Sequence, residues 1–196
     1  MSVRLRKIPL AALAVAAVLL LGACSDNSHT KVSTGTYAGE SGQNAPYLNV
    51  GPLIYQVQLS RQLNPTNSED MSYLRGLTPA QRQLAPGQEW FAVFMQVYNT
   101  SERAHPSASE LTISDTQGNV YTPIVPDATN EYAYRPTLIP SNNLTPTVDT
   151  TAAFGPTQGS MLLYRIQTVS LDNRPLELKI VDPTNSAQTA SAELDV

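Results

Sequence analysis

Residues 89–99, EWFAVFMQVYN, constrain this chain more than any other segment. The run has no glycine or proline, is rich in aromatic and β-branched residues, and is apolar at odd and even positions alike. A strand is apolar on both faces when its sheet is covered on both sides, so the run predicts a central strand. Segments with period-two alternation surround it. Leu53, Tyr55, Val57 and Leu59 alternate with Ile54, Gln56, Gln58 and Ser60. Residues 111–113 and 120–122 flank Asp115-Thr116-Gln117-Gly118-Asn119, where Gly and Asn suit the positive φ of a hairpin turn. Residues 161–169, the series Leu176, Leu178, Ile180 and the series Ala192, Leu194, Val196 complete the set. About seven short strands with polar turns between them predict an all-β chain folded as an antiparallel β-sandwich.

Helix is sparse by the same reading. Thr78-Pro79-Ala80-Gln81 places a capping hydroxyl, a proline at the first helical position and a glutamine at the third. One short helix is expected there, running to about Leu84 and stopping before Pro86-Gly87. Residues 64–77 can hold a further helical turn. The stretch 126–160 has five prolines and little periodicity, so a long loop with one irregular edge strand is expected.

The start of the chain speaks to location. Residues 1–7 (MSVRLRK) carry three positive charges, residues 8–21 are apolar, and Gly22-Ala23 precede Cys24. This is the layout of a secretory signal. The apolar stretch of 14 residues is too short to span a bilayer, which takes about 20. Leu21-Gly22-Ala23-Cys24 resembles the lipobox of bacterial lipoproteins, in which the cysteine thiol receives a diacylglycerol and cleavage falls just before it. The resemblance implies a signal peptide over 1–23 and lipidation at Cys24. Two acyl chains anchor stably, since each buried methylene contributes about 0.8 kcal/mol. Cys24 is the only cysteine, so no intramolecular disulfide can form and the fold must rest on its core. Residues 24–46 are rich in Ser, Thr, Gly, Asn and Gln and read as a flexible tether. A single domain is expected over 47–196.

Beyond the leader the chain keeps nine basic residues against sixteen acidic, a formal −7. No basic cluster follows Lys7, which argues against a nucleic-acid partner.

The domain also resembles the small secreted immunoglobulin-like domains of Gram-positive lipoproteins related to a secreted immunoprotective antigen. The matching features are Pro86-Gly87 leading into the Trp90 to Tyr98 strand, the Asn99-Thr100-Ser101 that ends it, Leu111 through Asp115 with Gly118-Asn119-Val120-Tyr121, and Gly159 before Met161 to Ile166. The resemblance implies an immunoglobulin-like sandwich at the cell surface and carries over no catalytic residue.

Chemical motifs are weak. Ser28-His29-Thr30-Lys31 matches Ser-x-x-Lys and Ser25-Asp26-Asn27 a second β-lactamase element, but both lie contiguous in the lead-in, with no Lys-Thr-Gly anywhere. A nucleophile needs a rigid shell, so the match reads as chance. His29 and His105 stand apart, without the close ligand spacing of a metal site. Asp115 to Asn119 lacks the further acidic positions of a calcium loop. Trp90 is expected in the core. Tyr132, Tyr134 and Arg135 are the candidate ligand contacts, because exposed aromatics beside an arginine are common at binding surfaces; packing beneath the long loop is the competing reading.

These observations favour a non-catalytic binding or interaction module without a cofactor. It would sit on the extracytoplasmic face of the cell membrane through the diacylglycerol on Cys24 and meet a protein or cell-envelope ligand. An extracytoplasmic hydrolase or transferase, or an accessory subunit of a transporter or envelope complex, are the alternatives.

Overall fold

A computed structural model describes residues 29–33 and 47–194, with side chains from Tyr47 onward. The expected leader 1–23, Cys24, most of the 24–46 lead-in and Val196 lie outside the described residues. Five residues of that lead-in, His29–Ser33 (β1), form a strand rather than loose tether. The remaining strands are Tyr47–Val50 (β2), Leu53–Leu63 (β3), Gln88–Asn99 (β4), His105–Pro106 (β5), Glu110–Ser114 (β6), Val120–Tyr121 (β7), Leu138–Ile139 (β8), Asn143–Thr145 (β9), Ser160–Gln167 (β10), Leu176–Val181 (β11) and Thr189–Leu194 (β12).

They build two facing sheets. One runs β1-β12-β11-β6-β7, the other β10-β4-β3-β2, with β9 pairing the end of β4. The chain passes between sheets from β1 to β2, β4 to β6, β7 to β9 and β10 to β11, and β1 lies parallel to β12 while every other pairing of named strands is antiparallel. The β4-to-β6 and β10-to-β11 passages are Greek-key connections of an antiparallel β-sandwich, the all-β fold expected from the sequence. The short β5–β8 pair stands beside them.

The central strand falls where the sequence places it. Phe91, Val93, Met95 and Val97 of β4 point between the sheets, where they meet Tyr55, Leu162, Tyr164, Leu178 and Ile180. Phe91 and Val93 are fully buried, and burying a side chain of this kind contributes roughly 1.5–3 kcal/mol. Trp90, Ala92 and Phe94 point the other way, into a second core with Leu63, Met161 and Leu163. What covers this outer face is local: Tyr73, Leu74 and Leu77, from and just beyond a short helix, Ser68–Tyr73 (α1). The Tyr73 ring meets Phe94 edge-on at 5.0 Å and Tyr132 at 4.8 Å. Asp70 fastens α1 to the sheet, accepting from Arg61 Nη2 at 2.5 Å and from the Asn64 N–H at 2.7 Å.

Two expectations need correction. The sequence promises one short helix and a further helical turn within 64–77, which α1 supplies, but the described residues hold a third helix as well. Pro79–Arg82 (α2) has the expected reciprocal cap, with Thr78 Oγ1 accepting from the Gln81 N–H and Gln81 Oε1 from the Thr78 N–H. It stops at Arg82 rather than Leu84. α1 is capped by Asn67, and Thr151–Phe154 (α3) lies inside the expected loop. The second correction concerns the phase of β3. Its register against β4 shifts between Val57 and Leu59. An inserted residue flips every following side chain to the other face, so Leu59 packs with the outer core while Leu53, Tyr55 and Val57 serve the inner one.

Candidate functional site

The segment 123–160 covers the free edge of β10. Ile124 donates its N–H to the Leu163 carbonyl at 2.7 Å, Tyr134 to that of Met161 at 2.8 Å, and Met161 returns a bond to the Tyr132 carbonyl at 2.7 Å. Pro123, Pro126 and Pro136 stand next to these contacts and lack the N–H that would extend them into a ladder. Beside them lies a small, mostly apolar pocket of about 40 Å³, walled by those prolines with Leu111, Tyr134 and Leu162.

Two buried asparagines order the segment, and sequence reasoning missed both. Asn130, 3 % exposed, donates from Nδ2 to the carbonyls of Tyr73 and Arg75, and its Oδ1 accepts from the N–H groups of Tyr132 and Ala133. It thus satisfies carbonyls left open at the end of α1 while fixing the next turn of the loop. Asn99, at the end of β4, donates to the carbonyls of Arg103, Ile139 and Pro140, and its Oδ1 accepts from the N–H and hydroxyl of Ser101. An asparagine in a polar segment reads as solvated; only the tertiary fold shows all its hydrogen-bonding groups engaged.

The three expected contact residues come together in sequence but part in role. Tyr134 is buried rather than exposed, and its hydroxyl donates to the Ala108 carbonyl at 2.7 Å. The Ala108 N–H donates in turn to the Tyr55 hydroxyl at 2.7 Å, so the backbone of one residue is held on both sides by phenols. Burial pushes Tyr55 up to about 12 and raises Tyr134 and Tyr164 as well. Tyr132 is half-buried against Tyr73 and the end of α3; a Cβ on Gly155 would come within 3.3 Å of its ring. Arg135 is exposed and donates from Nη2 to the Asp127 carbonyl at 2.5 Å, tying the two limbs of the segment across the pocket. The tyrosines therefore pack beneath the loop, and of the three Arg135 alone is exposed.

The exposed apolar groups here are different ones. Phe154 at the end of α3 is 75 % exposed, Val148 63 %, Leu138 62 % and Val125 49 %. The chain's two other phenylalanines, Phe91 and Phe94, are at 0 %.

The remaining motifs are structural in their geometry. Both Asp115 oxygens are engaged: Oδ1 accepts from the N–H groups of Gln117 and Asn119, Oδ2 from Asn119 Nδ2 and the Ser170 hydroxyl. Gly118 takes φ +84°, whereas Asn119 is not in the left-handed region and acts through its side chain. His105 is half-buried in β5 and lines a small concavity with Tyr55 and one carboxylate, Asp182. Asp182 Oδ1 accepts from the Thr184 N–H and hydroxyl, both at 2.7 Å, and from the Asn185 N–H at 3.3 Å. Among the described residues no group of three or more His, Cys, Asp or Glu is placed to hold a metal. No helix among them is long and apolar enough to cross a membrane. The Ser-x-x-Lys stretch falls partly in β1, whose side chains are not described.

The fold has a solved counterpart. The yjhA protein from Bacillus subtilis superposes with a TM-score of 0.50 at 11 % identity, over 80 % of this chain and 99 % of that one. An uncharacterized β-sandwich protein from Clostridium difficile aligns at a TM-score of 0.45 and 13 % identity, over 85 % of this chain and 95 % of its own. Both come from Gram-positive bacteria. At such identity the likeness to the Bacillus protein is one of fold alone. No family model matches the chain, and no curated protein matches it.

Proposed function

We propose that the chain is a lipid-anchored extracytoplasmic protein whose sandwich acts as a non-catalytic interaction module, contacting a protein or cell-envelope ligand through the 123–160 segment. The anchor half rests on the lipobox and on Cys24 being the only thiol. The resemblance to immunoglobulin-like domains of Gram-positive lipoproteins and their immunoprotective relative supports the same address.

The contact half rests on one observation, the exposure of Phe154. Burying a phenylalanine contributes roughly 1.5–3 kcal/mol, and this chain leaves one 75 % exposed on an element fixed at both ends. Thr151 Oγ1 donates to Glu131 Oε2 at 2.7 Å before it, and the Gly159 N–H donates to the Ala152 carbonyl at 2.8 Å after it. An aromatic on a held platform binds with little entropy to lose. Val148 is a second exposed apolar group close to Phe154 in the chain, and the pocket walled by Pro123, Pro126 and Pro136 offers a recess for one small apolar group.

The test uses intact cells carrying a photoreactive side chain at Val148. The expected result is one discrete adduct, lost when Phe154→Ser is added and absent when the group stands at Val169, which is also exposed but lies in another part of the chain. Equal labelling from Val148 and Val169 would remove the contact reading. The address is tested separately: the N-terminal peptide should carry the acyl mass on Cys24, and Cys24→Ala should leave the membrane fraction.

A further inference from the structure

The pairing of β1 fixes which end of the molecule a lipid on Cys24 would hold against the bilayer. β1 runs parallel to β12 with His29 opposite Thr189, the residue that follows the 182–188 turn. The N-terminal end of β1 therefore lies at the end of the sandwich built by that turn. The Gly51-Pro52 turn and His105-Pro106 converge on the same place, since Val50, Pro52, His105, Asp182 and Thr184 line one small concavity there. Cys24 precedes His29 by five residues, and five residues reach at most about 17 Å.

The chemistry of this end suits a membrane surface. The turn 182–188, DPTNSAQ, has one charged residue, Asp182, and it is 4 % exposed. The Gly51-Pro52 turn has none. Exposed Glu102 and Arg103 offset each other, and Glu110 stands one rung further in, opposite Val181. Among the described residues Asp115, Glu177 and Glu193 stand towards the opposite end of the strands, where Glu177 pairs with Ser114 and Glu193, so an anionic bilayer would repel that end more than this tip.

We propose, resting on the lipidation reading above, that the 182–188 turn and the Gly51-Pro52 turn form a membrane-facing end that lies against the phospholipid headgroups. The domain then stands upright with its Asp115–Asn119 turn outermost, rather than swinging on a long tether. β11 alone has six residues between the two ends, so they lie more than ~20 Å apart along the strands.

The experiment uses the full lipidated protein in phosphatidylglycerol/phosphatidylcholine vesicles that contain a headgroup-linked quencher. With Cys24 acylated, a single introduced cysteine carries the fluorophore, at Ser186→Cys or at Gln117→Cys, both exposed turn positions. The expected result is several-fold stronger quenching from 186 than from 117. A Gly-Ser insertion of about twenty residues after Asn27, which reaches roughly 25 Å as a coil, should erase that difference. Equal quenching from the two sites in protein that floats with the vesicles would overturn the orientation, and a contrast that survives the insertion would overturn the short tether as its cause. Protein that fails to float would overturn the lipid anchor itself, a separate outcome.

Discussion

Gly51 and Asp182 should be energetically coupled, and the coupling can be worked from their geometry. Gly51 has φ +57°, and a Cβ added there would stand 1.8 Å from Asp182 Oδ2 and 2.9 Å from its Cγ. The carboxylate cannot step aside cheaply, because Oδ1 holds the Thr184 N–H and hydroxyl and the Asn185 N–H. Oδ2 itself is buried without a partner. Gly51→Ala thus meets two penalties: about 1–2 kcal/mol for a left-handed backbone and about 1–3 kcal/mol for overpacking. The expected cost is about 2–5 kcal/mol, a large part of the total for a domain of this size. Asp182→Ala removes the obstacle and an unpaired oxygen, but also three accepted bonds, so its own effect is a difference of opposed contributions. In the Asp182→Ala background Gly51→Ala should cost only the backbone share, leaving a coupling of about 1–3 kcal/mol. Urea unfolding of a chain begun at Ser25, followed by the fluorescence of Trp90, the only tryptophan, measures all four corners of the cycle. Additivity of the two substitutions within about 0.5 kcal/mol would refute the reasoning.

Three other outcomes follow from the interior. Asn99→Asp places an oxygen against the carbonyls of Arg103, Ile139 and Pro140 and should cost about 3 kcal/mol or more in the same unfolding assay; a cost under 1 kcal/mol would contradict the hydrogen bonds assigned to it. On the acid side, burial pushes the Asp70 and Asp115 carboxyls up, but the Arg61 guanidinium and Asn64 N–H at Asp70, and Asn119 with Ser170 at Asp115, outweigh it and hold both below the ordinary value. The Thr129 hydroxyl and N–H do the same for Asp127, while burial of Glu89 acts in the opposite sense. Groups depressed in the folded state stabilise it above their unfolded value, about 3.9, and that contribution is lost as pH falls through the folded value, so the urea midpoint should hold near neutrality and drop below about pH 4. On the alkaline side the sign reverses: Tyr55, pushed up to about 12 by burial, and the raised Tyr134 and Tyr164 stabilise the fold below their unfolded value of about 10. Stability should fall as pH rises beyond that, and tyrosinate absorbance should appear together with unfolding; a separate, earlier rise of three phenolates would place these rings at the surface.

Much of the sandwich was legible because β-periodicity is a local property. The Leu176, Leu178, Ile180 alternation needs only its own residues to predict an inward face, and that face is inward. Likewise the both-sided apolar pattern of β4 correctly demanded cover on two sides. The phase of β3 was not legible, because the shift at Val57/Leu59 is set by the partner strand rather than by residues 53–60 themselves. β1 was not legible for a similar reason. Its sequence, His-Thr-Lys-Val-Ser, is polar, and an edge strand gains its hydrogen bonds from a neighbour far away in sequence, here β12.

The candidate site divides along the same line. Its place in the chain could be read, since five prolines in 126–160 forbid a regular ladder and force an irregular, surface-running path. Which aromatic faces outward could not. A tyrosine in a loop can be buried if its hydroxyl finds a backbone acceptor, and Tyr134 finds Ala108. Phe154 has no such handle, ends a four-residue helix, and is exposed where Tyr132 packs against the residue that follows it. The residue that looked more like a contact is thus used up in holding the loop, and the less conspicuous one is displayed by it. Asn130 makes that division possible, because a loop pinned to the open carbonyls at the end of α1 can hold an apolar side chain in water without collapsing over it.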